Sequence, residues 1–194
     1  MQNTTVTHSA NIIYREMSVD DFSAVIDLAT LVHGEGYIDQ TSIQQWFNKG
    51  IRHSINASFV AYSQDKLVGF RLTYACQQWQ IDQWCSPELW QIPADNVCYF
   101  KCNTVDEHFR GYGIGSALLS LSITAAKKQG AFAGVSHLWR ESPGNSAVKY
   151  FSKCGGKLIK NHPERWNELS KQGYICPVCD NSCHCVAAEM LITF

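Results

Sequence analysis

The chain has 194 residues, 45% hydrophobic, 12% aromatic and 17% charged, with a formal net charge of −1. That length suits a single domain over 1–194, able to bury roughly 70% of its unfolded surface without covalent staples. The near-neutral charge excludes a basic nucleic-acid footprint or a polybasic membrane surface, and no apolar run approaches the ~18 residues of a bilayer span.

The first ten residues, MQNTTVTHSA, have neither the basic nor the apolar region of a signal peptide, so a soluble, cytoplasmic protein is expected. NIIYREM (11–17) reads as a first strand. Ser18 can cap a helix through VDDFSAVIDLATLV, with Asp20 and Asp21 in its positively polarised first turn. HGEGYIDQ (33–40) is a loop, after which Thr41 is placed to cap a short helix, SIQQWFNKG. ASFVAYSQDKLVGFRLTYA holds two β-rich runs around Gln64-Asp65-Lys66, a hairpin.

Residues 76–96, with Trp79, Trp84 and Trp90, are irregular and form either a cover over the core or a wall of an acceptor pocket. VCYFKCNTV (97–105) is a strand, and 113–130 is a helix with Ile114, Leu118, Leu121 and Ala125 on one face and Gly130 as its stop. FAGVSHLW (132–139), a short helix in 144–156, KLIK and VAAEMLITF complete the series. The order predicts an α/β (α+β) architecture, a mixed sheet with helices on its faces. The last strand, 186–194, could be an edge that pairs across a homodimer.

The chemistry concentrates in VDEHFRGYGIGS, where a strand ending at Val105 meets a glycine-rich turn and then a helix. Gly111, Gly113 and Gly115 let a ligand lie against the backbone, and the helix N-terminus offers free N–H groups to an anion. Arg110 and the Ser116 hydroxyl are further donors. A tight turn and close helix packing would explain the same glycines. Neither a Rossmann unit nor a P-loop fits: the glycines come mid-chain behind Arg110, and no Lys-Ser/Thr pair follows.

Arg110-Gly111-Tyr112-Gly113-Ile114-Gly115 matches the Arg/Gln-x-x-Gly-x-Gly/Ala signature of the GNAT superfamily, which the sequence resembles. GNSAVKYFSKCGGKLI is similar to that family's later N-x-x-A-x-x-x-Y-x-x-x-G helix. The resemblance implies a mostly antiparallel central sheet flanked by helices, and acetyl-CoA as cosubstrate for an N-acetyltransferase acting on a small-molecule or peptide amine. It places the pantetheine arm along Val105 and the pyrophosphate on Arg110, Gly111, Tyr112, Gly113, Ile114, Gly115 and Ser116. Asn145 would contact the cofactor, and Tyr150 would sit near its sulfur. A phenol there can protonate the leaving thiolate; a core aromatic is the alternative. Residues 97–105 contain no carboxylate to serve as base. Glu35, Glu141 or ordered water remain candidates, and His33 and Tyr37 share the loop with Glu35 as a substrate rim. A non-catalytic module holding CoA or a partner is the other reading of the same motifs.

Of nine cysteines, five are dispersed (Cys76, Cys85, Cys98, Cys102, Cys154) and read as small buried hydrophobes. CPVCDNSCHC gathers Cys176, Cys179, Cys183 and Cys185, a Cys₄ set for a structural zinc with no position left open for substrate. Disulfides, free thiols or an iron–sulfur cluster are the alternatives, and His184, His162 or Cys154 could replace a thiolate. The cluster falls in an insertion over 160–185. A nucleic-acid adaptor built on it lacks electrostatic support, because Lys160, Arg165 and Lys171 are balanced by Glu164, Glu168 and Asp180.

Overall fold

The computed structural model describes residues 11–194; the ten residues expected to carry no leader lie outside the described ones. β1 (Ile12–Glu16) leads through a 3-10 turn into α1 (Phe22–His33). The Asp21 carboxylate accepts from the Ser18 N–H and hydroxyl and is held by Arg15 at 2.5 Å. α2 (Gln40–Lys49) is capped by Asp39, which accepts from the Ser42 N–H at 2.7 Å, and not by Thr41. Asp39 has the extended backbone that a cap requires, whereas Thr41 already lies inside the helix.

A small hairpin follows, β2 (Ile51–Arg52) and β3 (Ile55–Asn56), turned by His53 and Ser54 at φ 52° and 60°. Strands of two residues are too short to announce themselves by alternation. β4 (Phe59–Ser63) and β5 (Lys66–Tyr74) make the expected hairpin around Gln64 and Asp65. After the irregular stretch come β6 (Val97–Val105), α3 (Ile114–Lys128), β7 (Ala133–Trp139) and α4 (Ser146–Lys153). β8 (Lys157–His162), α5 (Asn167–Lys171) and β9 (Ala187–Thr193) end the chain. β8 runs to His162, so the insertion begins beyond it and not at residue 160.

Among the described residues, the strands other than β2 and β3 form a seven-stranded sheet in the order β1-β4-β5-β6-β7-β9-β8, in which only β6 and β7 run parallel. This is the mixed, mostly antiparallel sheet flanked by helices that was expected. One expectation fails: β9 is interior, because β8 folds back along its outer side, so 186–194 offers no edge to a second copy.

Helices cover both faces. Phe22, Val25 and Leu28 of α1 and Ile43 and Phe47 of α2 pack on Phe70 and Leu72. Leu119 of α3 and Phe151 of α4 pack with Phe100 and Met190 on the opposite face. Trp90, fully buried with Val97 and Val135, donates its Nε1–H to Glu189 at 2.7 Å. Much of 76–96 is therefore a cover for the sheet; Trp79 also lines a small pocket, and the Trp84 carbonyl meets His137 of β7.

Between β6 and β7 the sheet comes apart. They are in register only at Val97–Ala133, Cys98–Gly134 and Tyr99–Val135, although both strands continue well beyond. Lys101 is a bulge against β5, left unpaired where Leu72 faces Cys102 and Thr73 faces Phe100, and a bulge bends its strand. The Ser136 hydroxyl donates to the Phe100 carbonyl at 2.9 Å, a link at the point of divergence.

Candidate active site

The parted strands open a cleft of about 540 Å³ that reaches both faces of the sheet. On the α3/α4 side it is lined by the glycine turn, by Ser142 and Ser146, and by Tyr150. On the α1/α2 side it meets His33, Tyr37, Lys101 and, from the insertion, Tyr174, Cys176 and Cys183.

The glycine turn is built to be approached. Gly111 and Gly113 sit at φ +87° and +78°, and a Cβ on either would meet nothing within 4 Å. These backbone angles disfavour any side chain, and the space before them is free for a ligand. The first bond within α3 runs from the Ala117 N–H to the Gly113 carbonyl, so the Ile114, Gly115 and Ser116 N–H groups point onward unused. At Gly115 a Cβ would come within 3.2 Å of Asn103 Nδ2, which explains the third glycine by close packing. Asn103 also carries a buried, unpartnered Oδ1 at the cleft wall. An anion cradle, a ladder of open strand edges and an orphaned acceptor together fit a ligand with a phosphate head and an amide-bearing arm, as coenzyme A has.

Of the residues singled out from the sequence, Val105, Arg110, Gly111, Gly113, Ile114, Gly115, Ser116, Tyr150 and Glu141 line this cleft. Tyr112 does not: its ring is 63% exposed beyond the turn. Asn145 does not either. It caps α4 in a left-handed conformation at φ 54°, with its Oδ1 buried and unpartnered. The quoted pattern sets its asparagine seven residues before the tyrosine, whereas Asn145 precedes Tyr150 by five. Ser142 and Ser146 take the place at the wall. Glu35 is exposed between two glycines and is not brought to the cleft. Glu141 stands at the rim, its Oε2 accepting from the Val186 N–H at 3.0 Å.

Tyr150 is partnered by a residue the sequence did not flag. Arg71 of β5, buried with no carboxylate partner among the described residues, donates from Nη2 to the phenol oxygen. Arg71 also lies over the Phe100 ring, 5.1 Å from its centre, and its Nε has no partner. Burial pushes the Tyr150 phenol above its usual range, with Arg71 pulling the other way, so the phenol keeps its proton. On the opposite side His33 Nε2 is 2.8 Å from the Thr104 hydroxyl, and its ring stacks on Tyr37 at 4.4 Å. Burial, and then the charge of Arg110, lower the His33 pKa to about 4, which keeps the imidazole neutral.

The four clustered cysteines do converge, with sulfurs all within 4.8 Å of one another. Cys176–Cys185 and Cys179–Cys185 are 3.8 and 3.6 Å apart. Zinc–sulfur bonds of ~2.3 Å in a tetrahedron set sulfurs about 3.8 Å apart, so the donors suit that ion. Cys176 and Asp180 exchange backbone bonds at 3.0 and 2.9 Å, which closes the loop around Cys179. Burial opposes ionisation of Cys176, but the Val178 and Cys179 N–H groups and neighbouring thiols take its pKa below the usual value. His184 is turned outward to Glu164 at 3.0 Å, and Cys154 packs under α4. The Tyr174 hydroxyl donates to the His33 carbonyl at 3.0 Å and ties the insertion to the end of α1.

A second set, His137, His162 and Glu189, also has ligand atoms within 4.8 Å. Its atoms are already engaged: His162 Nε2 with Glu189 at 2.9 Å, His137 Nε2 with the Trp84 carbonyl at 2.5 Å, and Nδ1 with the Tyr99 hydroxyl at 3.0 Å. This trio fastens residues 84–90 to the sheet.

A model of the acetyltransferase (GNAT) family matches residues 22–156. No curated protein matches the sequence. Solved structures with the same fold include Ard1 from Thermoplasma volcanium, at 18% identity and a TM-score of 0.66, covering 94% of this chain and 97% of that one. Arabidopsis thaliana Naa50, in complex with a bisubstrate analogue of CoA and a peptide, superposes with a TM-score of 0.64 at 15% identity, over 94% of this chain and 99% of its own. A third is yncA from Salmonella typhimurium, a structure containing acetyl-CoA, with a TM-score of 0.64 at 13% identity over 94% of each chain.

Proposed function

The chain belongs to the GNAT acetyltransferase family, and on that premise we propose that it transfers the acetyl group of acetyl-CoA to a primary amine by direct attack. One observation carries the reading: the strands part where the glycine turn, the open strand edge and Tyr150 share a single cleft. When bound there, acetyl-CoA supplies an activated acyl carbonyl and a thiolate leaving group. The rest falls to the chain. The N–H groups of the Gly111–Ser116 turn hold the pyrophosphate, with Arg110 and the Ser116 hydroxyl as added donors. The backbone near Val105 receives the pantetheine amides as a neighbouring strand would. Tyr150 gives its proton to the departing sulfur, and the Arg71 N–H on its oxygen keeps the phenol O–H free to turn into the cleft. Glu141, at the rim, takes the proton released by the amine, directly or through water.

Cys176, Cys179, Cys183 and Cys185 hold one zinc ion in a closed site, so the metal orders the insertion and leaves the reaction to the cleft. The protein works in the cytoplasm, where thiolate ligands stay reduced.

Native mass spectrometry of the full chain, purified without chelator, tests both parts. The expected species carries one zinc and gains one acetyl-CoA. If no adduct forms where a known acetyltransferase gives one, the enzyme reading falls. A second reading, a module that binds CoA without transfer, draws on the absence of a carboxylate from β6. It would be favoured by an adduct with no acetyl transfer to any amine of a broad panel.

A further inference from the structure

A pocket of about 250 Å³ adjoins the cleft and shares two wall residues with it, Lys101 and His137. Its charged lining is lopsided. Lys49, Lys101 and Arg165 contribute cations against the single carboxylate of Asp82. Asp82 is already taken, with Arg165 Nη2 3.1 Å from it. Neither lysine has a carboxylate or hydrogen-bond partner among the described residues. Lys101 Nζ rests over the Trp46 ring at 4.2 Å, and Lys49 Nζ over Tyr74 at 5.2 Å. Arg165 Nε is buried without an acceptor. Lys49 is exposed, whereas Lys101 and Arg165 are partly buried, so it is their donors that an anion would satisfy.

The pocket also has a fixed neutral side. The Trp84 carbonyl can only accept, so His137 carries its proton on Nε2 and receives the Tyr99 hydroxyl at Nδ1. Burial first, with the charge of Arg165 adding to it, lowers the His137 pKa to about 4, so no fourth cation arises there at neutral pH. Lys101 is lowered to about 8, first by burial; Cys102 and Asp82 oppose this, while Arg165 and Lys49 add their repulsion. An anion between them would relieve that crowding.

We propose that this pocket binds the carboxylate of the acceptor, so that the substrate is a small amine bearing an acidic group, with its amine directed past Lys101 into the cleft. The assignment rests on the acetyltransferase reading and names the substrate class of that site. A cationic acceptor such as a polyamine would meet the two unpaired lysines there.

Two measurements on the full chain keep the proposal and the enzyme reading apart. The first follows acetyl transfer to α-amino acids and to their carboxamides. Free acids are expected to have a kcat/KM at least tenfold above their amides. Lys101→Met and Lys49→Met should each lower the value for acids several-fold, a loss carried by KM, and Lys49→Met, which lies outside the cleft, should leave amides within about twofold. Amides as good as acids, or both falling alike in Lys49→Met, would overturn the proposal. The second needs no turnover: acetic anhydride labels lysines in the CoA-loaded protein, and peptide mass spectrometry follows Lys101. N-acetylglycine should slow Lys101 labelling several-fold, and N-acetylglycinamide should not. Equal protection by both, or by neither, overturns the anion site. Protection by the acid without transfer to any amine leaves the pocket standing and removes the enzyme.

Discussion

Tyr150 illustrates how a single hydroxyl is prepared by its neighbours. Arg71 occupies the phenol oxygen as a donor, so the phenolic proton must look elsewhere, and the cleft is where it is free to go. Removing that proton should strike chemistry more than binding. Tyr150→Phe is expected to lower kcat by about a hundredfold or more and change the KM for acetyl-CoA by less than about threefold, measured by steady-state thiol release. An equal loss in both constants would make Tyr150 a binding residue. Gly134 works by what it lacks: a Cβ there would run into the Phe100 ring, at the last residues where β6 and β7 still pair.

Among the elements, the insertion has the most to lose. Its wall of the cleft includes Cys176 and Cys183, two of the four sulfurs that converge. Cys179→Ser, or prolonged chelation, should release one zinc per chain and lower Tm by several degrees. The acceptor KM should rise more than that for acetyl-CoA, because the glycine turn lies at the other side of the sheet. Metal analysis beside calorimetry and kinetics checks this; unchanged zinc content would refute the Cys₄ assignment. The sequence made the turn legible because glycine spacing is a local demand, and the cysteine cluster because its donors are close in sequence. Arg71 and Lys101 stayed hidden. A lone cation in a strand reads as a solvated face, and only the bulge at Lys101 and the packing over Phe100 turn these two inward. The interior place of β9 was equally unreadable, since strand order is a property of the assembled sheet. Asn145 misled because its residue type matched the family helix while its distance from Tyr150 did not.

At the scale of the whole molecule, acid should unfold the protein in two stages. Burial above all holds His33 and His137 near about 4, below the usual 6.5, so the unfolded chain binds protons that the folded one refuses. Stability therefore falls as pH drops from about 6.5 toward 4. Against the push of burial, the His162, Ser86 and Trp90 donors hold Glu189 low, and Arg15 and Lys66 do the same for Asp21 and Asp106. Their contribution is complete above the ordinary carboxylate pKa and is lost as pH falls through the lowered values. Urea midpoints between about pH 7 and pH 4 should decline throughout and fall steeply at the acid end. His33→Asn combined with His137→Asn should flatten the upper part alone.

The parting of β6 and β7 has a consequence for how the chain melts. Three residue pairs join a β1-β4-β5-β6 half to a β7-β9-β8 half, so the sheet has a seam where order can be lost on one side first. A ligand bridging both strands acts as a stitch. Without it the calorimetric enthalpy should exceed the van't Hoff enthalpy, and saturating coenzyme should draw the two together as the halves begin to melt as one.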